Sequence, residues 1–281
     1  MRIDSHHHVW DLTVRPQDWI TGEAMDSLLR NFSLDDLRAP AAAVGVTHTV
    51  LVQTVDSFDE TPELLSLAQD DELAVGVVGW LDMESPTAEE KLEGYLDHPG
   101  GSHLVAIRDL AQYKADPNWL VRPEVVANVN MLGKHDLTYD LLTLPPQLSA
   151  AIDLVKMCPE VSFVLDHISK PYIARGEVEP WGGLIRELAL SPNVVVKVSG
   201  MVTEANWHSW KPTDFQPYLD VLLEAFGPKR LMFGSDWPVC LLAGTYAEIA
   251  SLAEFLTTVL SPTEKEEFWS GTVKRAYRLQ I

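Results

Sequence analysis

The chain has 281 residues, 46% of them hydrophobic and 22% charged, ordinary globular proportions that exclude a disordered, collagenous or low-complexity protein. Acidic residues number 41 and basic residues 21, a net charge of -20, which argues against the clustered Lys and Arg that hold nucleic acid or an anionic membrane surface. The length suits one large α/β barrel or two ordinary domains. No Gly/Ser-rich linker or composition break appears, so a single domain over residues 1–281 is expected. No apolar run approaches the roughly 20 residues that span a bilayer, and the opening MRIDSHHHVW lacks a signal peptide's apolar stretch. Cys158 and Cys240 lie too far apart in sequence to suggest a disulfide framework, so a reducing, cytoplasmic setting is the simple expectation.

In chain order, Arg2–Val9 reads as a buried strand carrying Asp4-Ser5-His6-His7-His8. Side chains alternate along a strand, so His6 and His8 share one face and His7 takes the other. Two imidazoles so placed can meet one ion or one substrate, although a lone HxH also fits core histidines. Ser33–Val44 follows as a helix with a capping-type Ser at its start and Gly45 at its end. Thr47–Thr54 and Thr61–Gln69 repeat the strand–helix pair, as do Ala74–Asp82 and Thr87–Leu96. The fourth strand, His103–Leu110, carries Arg108 after Val105-Ala106-Ile107. An Arg closing a buried run requires an anion or acceptor, whether a ligand or an internal carboxylate such as Asp109. Pro123–Gly133 is helical, and Leu137–Leu144 is a strand on which Tyr139 can donate to a substrate. Pro146–Met157 leads to Ser162–Ile168, which includes Asp166-His167. Trp181–Leu190 leads to Val194–Gly200, where Lys197 must reach either the barrel mouth or an internal partner. Thr213–Phe226, Leu231–Pro238 and Tyr246–Leu260 complete the series. In the last strand Asp236 follows Gly234-Ser235 and precedes Trp237-Pro238, either as a helix cap or as a functional carboxylate.

Strand then helix, eight times, predicts an α/β fold of the (β/α)8 TIM-barrel type. A doubly wound open sheet is the alternative. Against it, no strand is followed by a glycine-rich phosphate loop, and no organic cofactor is expected. In a barrel the C-terminal strand ends open into one site. His6, His8, His167, Asp236, Arg108 and Lys197 all sit near such ends.

These residues resemble the amidohydrolase superfamily, whose pattern is HxH on the first strand, His on a later strand and Asp on the eighth. The resemblance narrows to amidohydrolase-related family 2, and within it to sugar lactonases similar to L-fuconolactonase and L-rhamnonolactonase. It rests on DSHHHVWD at 4–11, VVGWLD at 77–82, AIRDLAQYKADPNWLVRPEV at 106–125, VLDHISKP at 164–171, VKVSGMVTEANW at 196–207 and FGPKRLMFGSDWPVCLLAGTY at 226–246. Two positions depart from it. The family often has His where this chain has Asp109, and Gly where it has Ser169.

The resemblance implies opening of a sugar-acid lactone by water, with Asp236 as general base, His167 and Arg108 catalytic, and His6 and His8 polarising the carbonyl. As a general base, Asp236 would work best with a pKa nudged upward by partial burial. Arg108, Tyr139, Lys197 and Trp237 are the expected contacts to substrate, with His6 and His8. The fifth-strand run lacks the Lys, His or Glu that bridges two metals in relatives. The resemblance therefore leaves room for one divalent ion, zinc, held by His6, His8 and Asp236 with His167 near. Some lactonases resembling this chain work without metal, so its need for the ion stays open. A metal-dependent decarboxylase and a 2-pyrone-4,6-dicarboxylate-type lactonase are the alternatives; the shortage of basic residues favours a neutral sugar lactone. The oligomeric state, including a homo-oligomer, is left open.

Overall fold

Eight Val-, Ile- and Leu-rich runs form eight parallel strands in the computed structural model, which describes residues 1–281. They are β1 (Arg2–His7), β2 (Val46–Val52), β3 (Ala74–Gly79), β4 (Leu104–Asp109), β5 (Thr138–Leu141), β6 (Ser162–Leu165), β7 (Val194–Val198) and β8 (Leu231–Phe233). Each pairs with the next in chain order. A parallel bridge between His7 and Trp237 joins the first strand to the segment after the last. There His8 N donates to Trp237 O at 2.7 Å and Asp236 N to His6 O at 2.8 Å. The expected TIM barrel is therefore present.

Helices α1 (Leu34–Ala43), α2 (Glu60–Asp70), α3 (Ala88–Leu96), α4 (Pro123–Lys134), α5 (Leu148–Met157), α6 (Trp181–Leu188), α7 (Pro212–Phe226) and α8 (Tyr246–Leu256) follow the successive strands. Local chemistry sets their starts. Ser33 Oγ accepts from Asp36 N while the Asp36 carboxylate accepts from Ser33 N, a reciprocal cap of α1. Prolines begin α4 and α7, where a missing N–H costs nothing.

The strands end earlier than their apolar patterns suggest, and at two of them the reason is a left-handed turn. After Leu165 the backbone turns left-handed at His167, Ile168, Ser169 and Lys170 (φ 52, 50, 59 and 50°), and after Phe233 it does so at Asp236 (φ 58°). Left-handed residues cannot continue a ladder. His167 and Asp236 therefore stand just beyond the strands, on turns above the barrel.

The barrel interior is closed from below by a segment with no counterpart in the periodic pattern. Helices α9 (Pro262–Glu266) and α10 (Thr272–Ala276) follow α8. They bring Val273, Tyr277 and Leu279 against Ile3, Val50, Val78, Val164 and Met232. The run Ser261-Pro262-Thr263-Glu264 was a readable sign of α9, since Ser261 and Glu264 cap each other reciprocally. The register of β1 shifts by one residue between Asp4 and His7. This bulge accounts for Ile3 and His6, three residues apart, both serving the interior side. No helix is long and apolar enough to cross a membrane, and both cysteines are free and buried.

Candidate active site

The residues that gather at the barrel mouth are His6 and His8 from β1 and its extension, His167 after β6 and Asp236 after β8. His6 Nε2 lies 3.2 Å from His8 Nε2. Asp236 Oδ1 is 3.8 Å from His6 Nε2, 3.4 Å from His8 Nε2 and 3.9 Å from His167 Nε2. His7 points away, to Thr49 Oγ1 at 2.8 Å, as strand alternation requires. The outer nitrogens are anchored: His8 Nδ1 lies 2.7 Å from Val52 O and His167 Nδ1 lies 2.9 Å from Ser199 Oγ. A carbonyl only accepts, so a neutral His8 carries its proton on Nδ1 and turns a lone pair into the cluster.

Close backbone approach makes this packing possible. A Cβ on Gly200 would lie 2.6 Å from His167 Nδ1, and Gly200 itself has φ +60°. A Cβ on Gly234 would lie 2.9 Å from His6 Cβ. Both positions need a residue without a side chain.

A layer of paired charges supports the cluster from within the barrel. Arg108 Nη1 donates to Asp166 Oδ2 at 2.9 Å, and its Nη2 donates to Gln53 O at 2.6 Å. Lys197 Nζ sits 2.7 Å from Asp140 Oδ2 and 2.9 Å from Asp166 Oδ1. It also lies 3.2 Å from His6 Nδ1. Tyr277 OH, from beneath, donates to Asp140 Oδ2 at 2.6 Å. Two cations and two carboxylates balance in this layer, and Asp236 stands outside it, among the histidines and the Lys170 charge. An unpaired charge buried here would be costly, so the layer stands or falls as a unit.

Burial sets the protonation of the imidazoles. It drives the His6 pKa well below the ordinary imidazole value, and the Lys197 charge adds to the effect. Burial brings His167 down to about 4. Both rings are neutral at neutral pH. For Asp236 burial works upward, but His167, the hydrogen bond with His8 and the Lys170 charge outweigh it, and its pKa is lowered. The upward shift that would suit a base is thus not the one found, because the carboxylate is buried among donors and positive charge rather than among apolar groups. Asp140 is pushed up to about 6, by burial first and by Asp166 next, against the pull of Lys197.

Three expected substrate contacts lie elsewhere. Tyr139 points outward from β5, beneath the helices, 6.3 Å centroid to centroid from Phe163. The inward residue is its neighbour Asp140, so one position of register reverses the assignment. Lys197 is completely buried below the cluster and held by Asp140 and Asp166. The Trp237 ring is buried against Phe32 at 5.3 Å, and only its carbonyl serves the site, through His8 N. Asp109 also faces outward, accepting from Trp80 Nε1, Met83 N and Leu110 N. That departure from the family pattern therefore does not reach the cleft. Ser169 is buried with its hydroxyl 2.7 Å from Thr143 Oγ1, a bond that Gly lacks.

Arg108, His8, His167 and Asp236 line a cleft completed by Trp19, Thr54, Gln112, Tyr113 and Lys170, among others. Trp19, Gln112 and Tyr113 lie in segments outside the strand pattern, on the loops after β1 and β4. No periodicity marks such residues, although Tyr113 sits within the quoted AIRDLAQYKADPNWLVRPEV motif. An outer chamber shares Trp19, Thr54, Leu110 and Tyr113 with this cleft and opens it to solvent.

The donor set fits a metal ion by its chemistry. One atom each from His6, His167 and Asp236 lie within 4.8 Å of one another, and all three residues are buried. The separations of Asp236 from the three histidines and of His6 from His8, 3.2 to 3.9 Å, are close to the roughly 3.4 Å edge of a tetrahedron of donors about 2.1 Å from zinc. His6, His167 and Asp236 are the residues that would hold it, with His8 Nε2 beside them, 3.4 Å from Asp236 Oδ1. His167 thus joins the ligand set expected from the sequence.

The chain matches the amidohydrolase family model over residues 3–279. It is 38% identical to an L-fucono-1,5-lactonase of Burkholderia multivorans, covering 99% of this chain and 96% of that one. It is 33% identical to an L-fucono-1,5-lactonase of Burkholderia ambifaria over the same shares. A crystal structure of an amidohydrolase from Burkholderia multivorans with bound zinc superposes with a TM-score of 0.93, at 37% identity and 99% coverage of both chains. The likeness extends from β1 to the segment that closes the barrel from below, and the four clustered residues lie within it: this chain belongs to the amidohydrolase family.

Proposed function

We propose that this protein, working as one domain over residues 1–281, hydrolyses a sugar-acid lactone such as L-fucono- or L-rhamnonolactone. The observation that carries the reading is the gathering of His6, His8, His167 and Asp236 in one buried cluster. It stands at the end of a cleft with polar and aromatic walls. The identity to two L-fucono-1,5-lactonases supports the substrate class.

The Asp236 carboxylate, ionised at neutral pH because its pKa is lowered, accepts a proton from water. The water oxygen bonds to the lactone carbonyl carbon, and the electron pair moves onto the carbonyl oxygen. The positive charge of Arg108 on that side, together with a histidine N–H, stabilises the oxyanion. As it collapses, the ring C–O bond breaks and Asp236 returns the proton to the departing alkoxide, giving an open-chain hydroxy acid. A zinc ion held by the cluster would supply further polarisation of the carbonyl and a more acidic water.

Cleft chemistry favours a neutral substrate. Its lining cations are Arg108 and Lys170, and Arg108 is already paired with Asp166, so a dicarboxylate would find little compensation. Gln112, Tyr113 and Thr54 can bond ring hydroxyls, and Trp19 offers an apolar face to the ring.

A panel of aldonolactones followed with a pH indicator tests the reading. Acid release is expected with a sugar lactone, and Asp236→Asn should lower kcat by about 10²–10⁴-fold while the fold is kept. Absence of enzyme-dependent acid release across the panel, or near-wild-type turnover by Asp236→Asn, refutes it.

A further inference from the structure

We propose that Lys197 is a positioning residue that holds the His6 proton on Nε2, making His6 a hydrogen-bond donor toward His8 and Asp236 in the metal-free protein. The argument is a comparison of two tautomers of a neutral ring. His6 Nδ1 faces Lys197 Nζ at 3.2 Å and Asp166 Oδ1 at 3.4 Å. His6 Nε2 faces His8 Nε2 at 3.2 Å, Arg108 Nη1 at 3.4 Å and Asp236 Oδ1 at 3.8 Å.

A proton on Nδ1 would set an N–H against the ammonium of Lys197, which has donors only. It would also turn the Nε2 lone pair toward the lone pair of His8, whose own proton is committed to Val52 O. Both conflicts fall at the shorter distances. A proton on Nε2 removes both: Lys197 donates to Nδ1, and Nε2–H donates to His8 Nε2, with the Asp236 carboxylate behind it. Two conflicts remain, both at 3.4 Å: Arg108 Nη1 faces Nε2–H, though that nitrogen already directs a hydrogen to Asp166, and Asp166 Oδ1 faces the Nδ1 lone pair, though that oxygen is already 2.9 Å from the Lys197 ammonium. The ammonium is itself fixed, since Lys197 is completely buried between Asp140 and Asp166. It cannot swing away without leaving the buried Asp140 carboxylate without a cation and Asp166 with Arg108 alone.

Two consequences follow. Resting on the lactonase reading, His6 Nε2–H orients His8 beside the Asp236 base. Zinc, by contrast, must take the Nε2 lone pair, which requires the His6 proton to leave Nε2 against the Lys197 contact. Lys197 therefore weakens zinc binding at a cluster that otherwise fits it.

The experiment is long-range proton–nitrogen NMR of histidine-labelled, chelator-treated protein at neutral pH, with His6 assigned through His6→Gln. The expected result is His6 protonated on Nε2 beside His8 protonated on Nδ1. A metal-free wild type with His6 protonated on Nδ1 overturns the proposal, and this needs no folded variant. Lys197→Met combined with Asp140→Asn removes the ammonium and keeps the charge balance. In the folded double variant the His6 proton should move to Nδ1, and zinc affinity by calorimetry should rise by about tenfold or more, the scale of ligand-supporting contacts. A folded double variant with His6 still protonated on Nε2, or with unchanged zinc affinity, also overturns it. Failure of every lactone in the panel would refute the lactonase reading while leaving the tautomer result standing.

Discussion

Two buried tyrosines provide a controlled test of the charged layer under the cluster. Tyr277 and Tyr139 are each 1% exposed. Tyr277 OH donates to Asp140 Oδ2 at 2.6 Å, whereas Tyr139 OH has no hydrogen-bond partner. Removing each hydroxyl with Phe changes ring packing little, so the comparison isolates the bond. A hydrogen bond to a charged group contributes about 1.5–3 kcal/mol. Tyr277→Phe should cost that much, because Asp140 keeps only Lys197 among its hydrogen-bond donors. At about 2.1 cal/mol/K of unfolding entropy per residue, a 281-residue chain should lose roughly 2.5–5 °C in Tm. Tyr139→Phe should be neutral or slightly stabilising, since it deletes an unsatisfied buried group. Urea unfolding at neutral pH, with thermal melts alongside, measures both. A loss below about 0.5 kcal/mol for Tyr277→Phe, or equal losses for the two variants, would refute the view that the C-terminal segment is bound to the layer by a charged hydrogen bond.

Gly200→Ala should place a Cβ against the His167 ring, 2.6 Å from Nδ1 in the present packing. Displacing that ring should lower kcat by about 10–100-fold. Gly176→Ala carries similar backbone strain at φ +67° with nothing within 4 Å, so it should lose a similar stability and keep full activity; equal activities of the two variants would count against the contact. Glu60 tests linkage at a distance from the cluster. Its buried carboxylate accepts from Thr54 N and Val55 N, and burial raises its pKa despite those bonds. The folded state therefore holds this proton more tightly than the unfolded state, and the associated stability is present at low pH and lost as pH rises through the raised value. Wild type should accordingly lose stability relative to Glu60→Gln between about pH 4 and neutrality, by urea melts at both; a change of opposite sign would contradict the shift.

Local sequence determined much of the architecture. Eight apolar runs and eight helical patterns follow from short-range periodicity and caps such as Ser33 with Asp36, and a parallel sheet covered on both faces has few ways to close. The same patterns placed His6 and His8 on one face. They also pointed to His167, Asp236 and Arg108, because polar groups closing buried runs need a partner. Tertiary structure decided what those residues touch. Whether Tyr139 or Asp140 faces inward depends on one position of register in β5, and an apolar run does not encode it. Lys197 ends beneath the cluster because two carboxylates from neighbouring strands meet it there. Asp236 is a lowered rather than a raised carboxylate because His167, His8 and Lys170 outweigh its burial. Tyr277 enters the layer from the far end of the chain, 137 positions from Asp140. Periodicity is a property of neighbours along the chain. Charge balance and proton placement depend on neighbours in space, and only the closed barrel determines those.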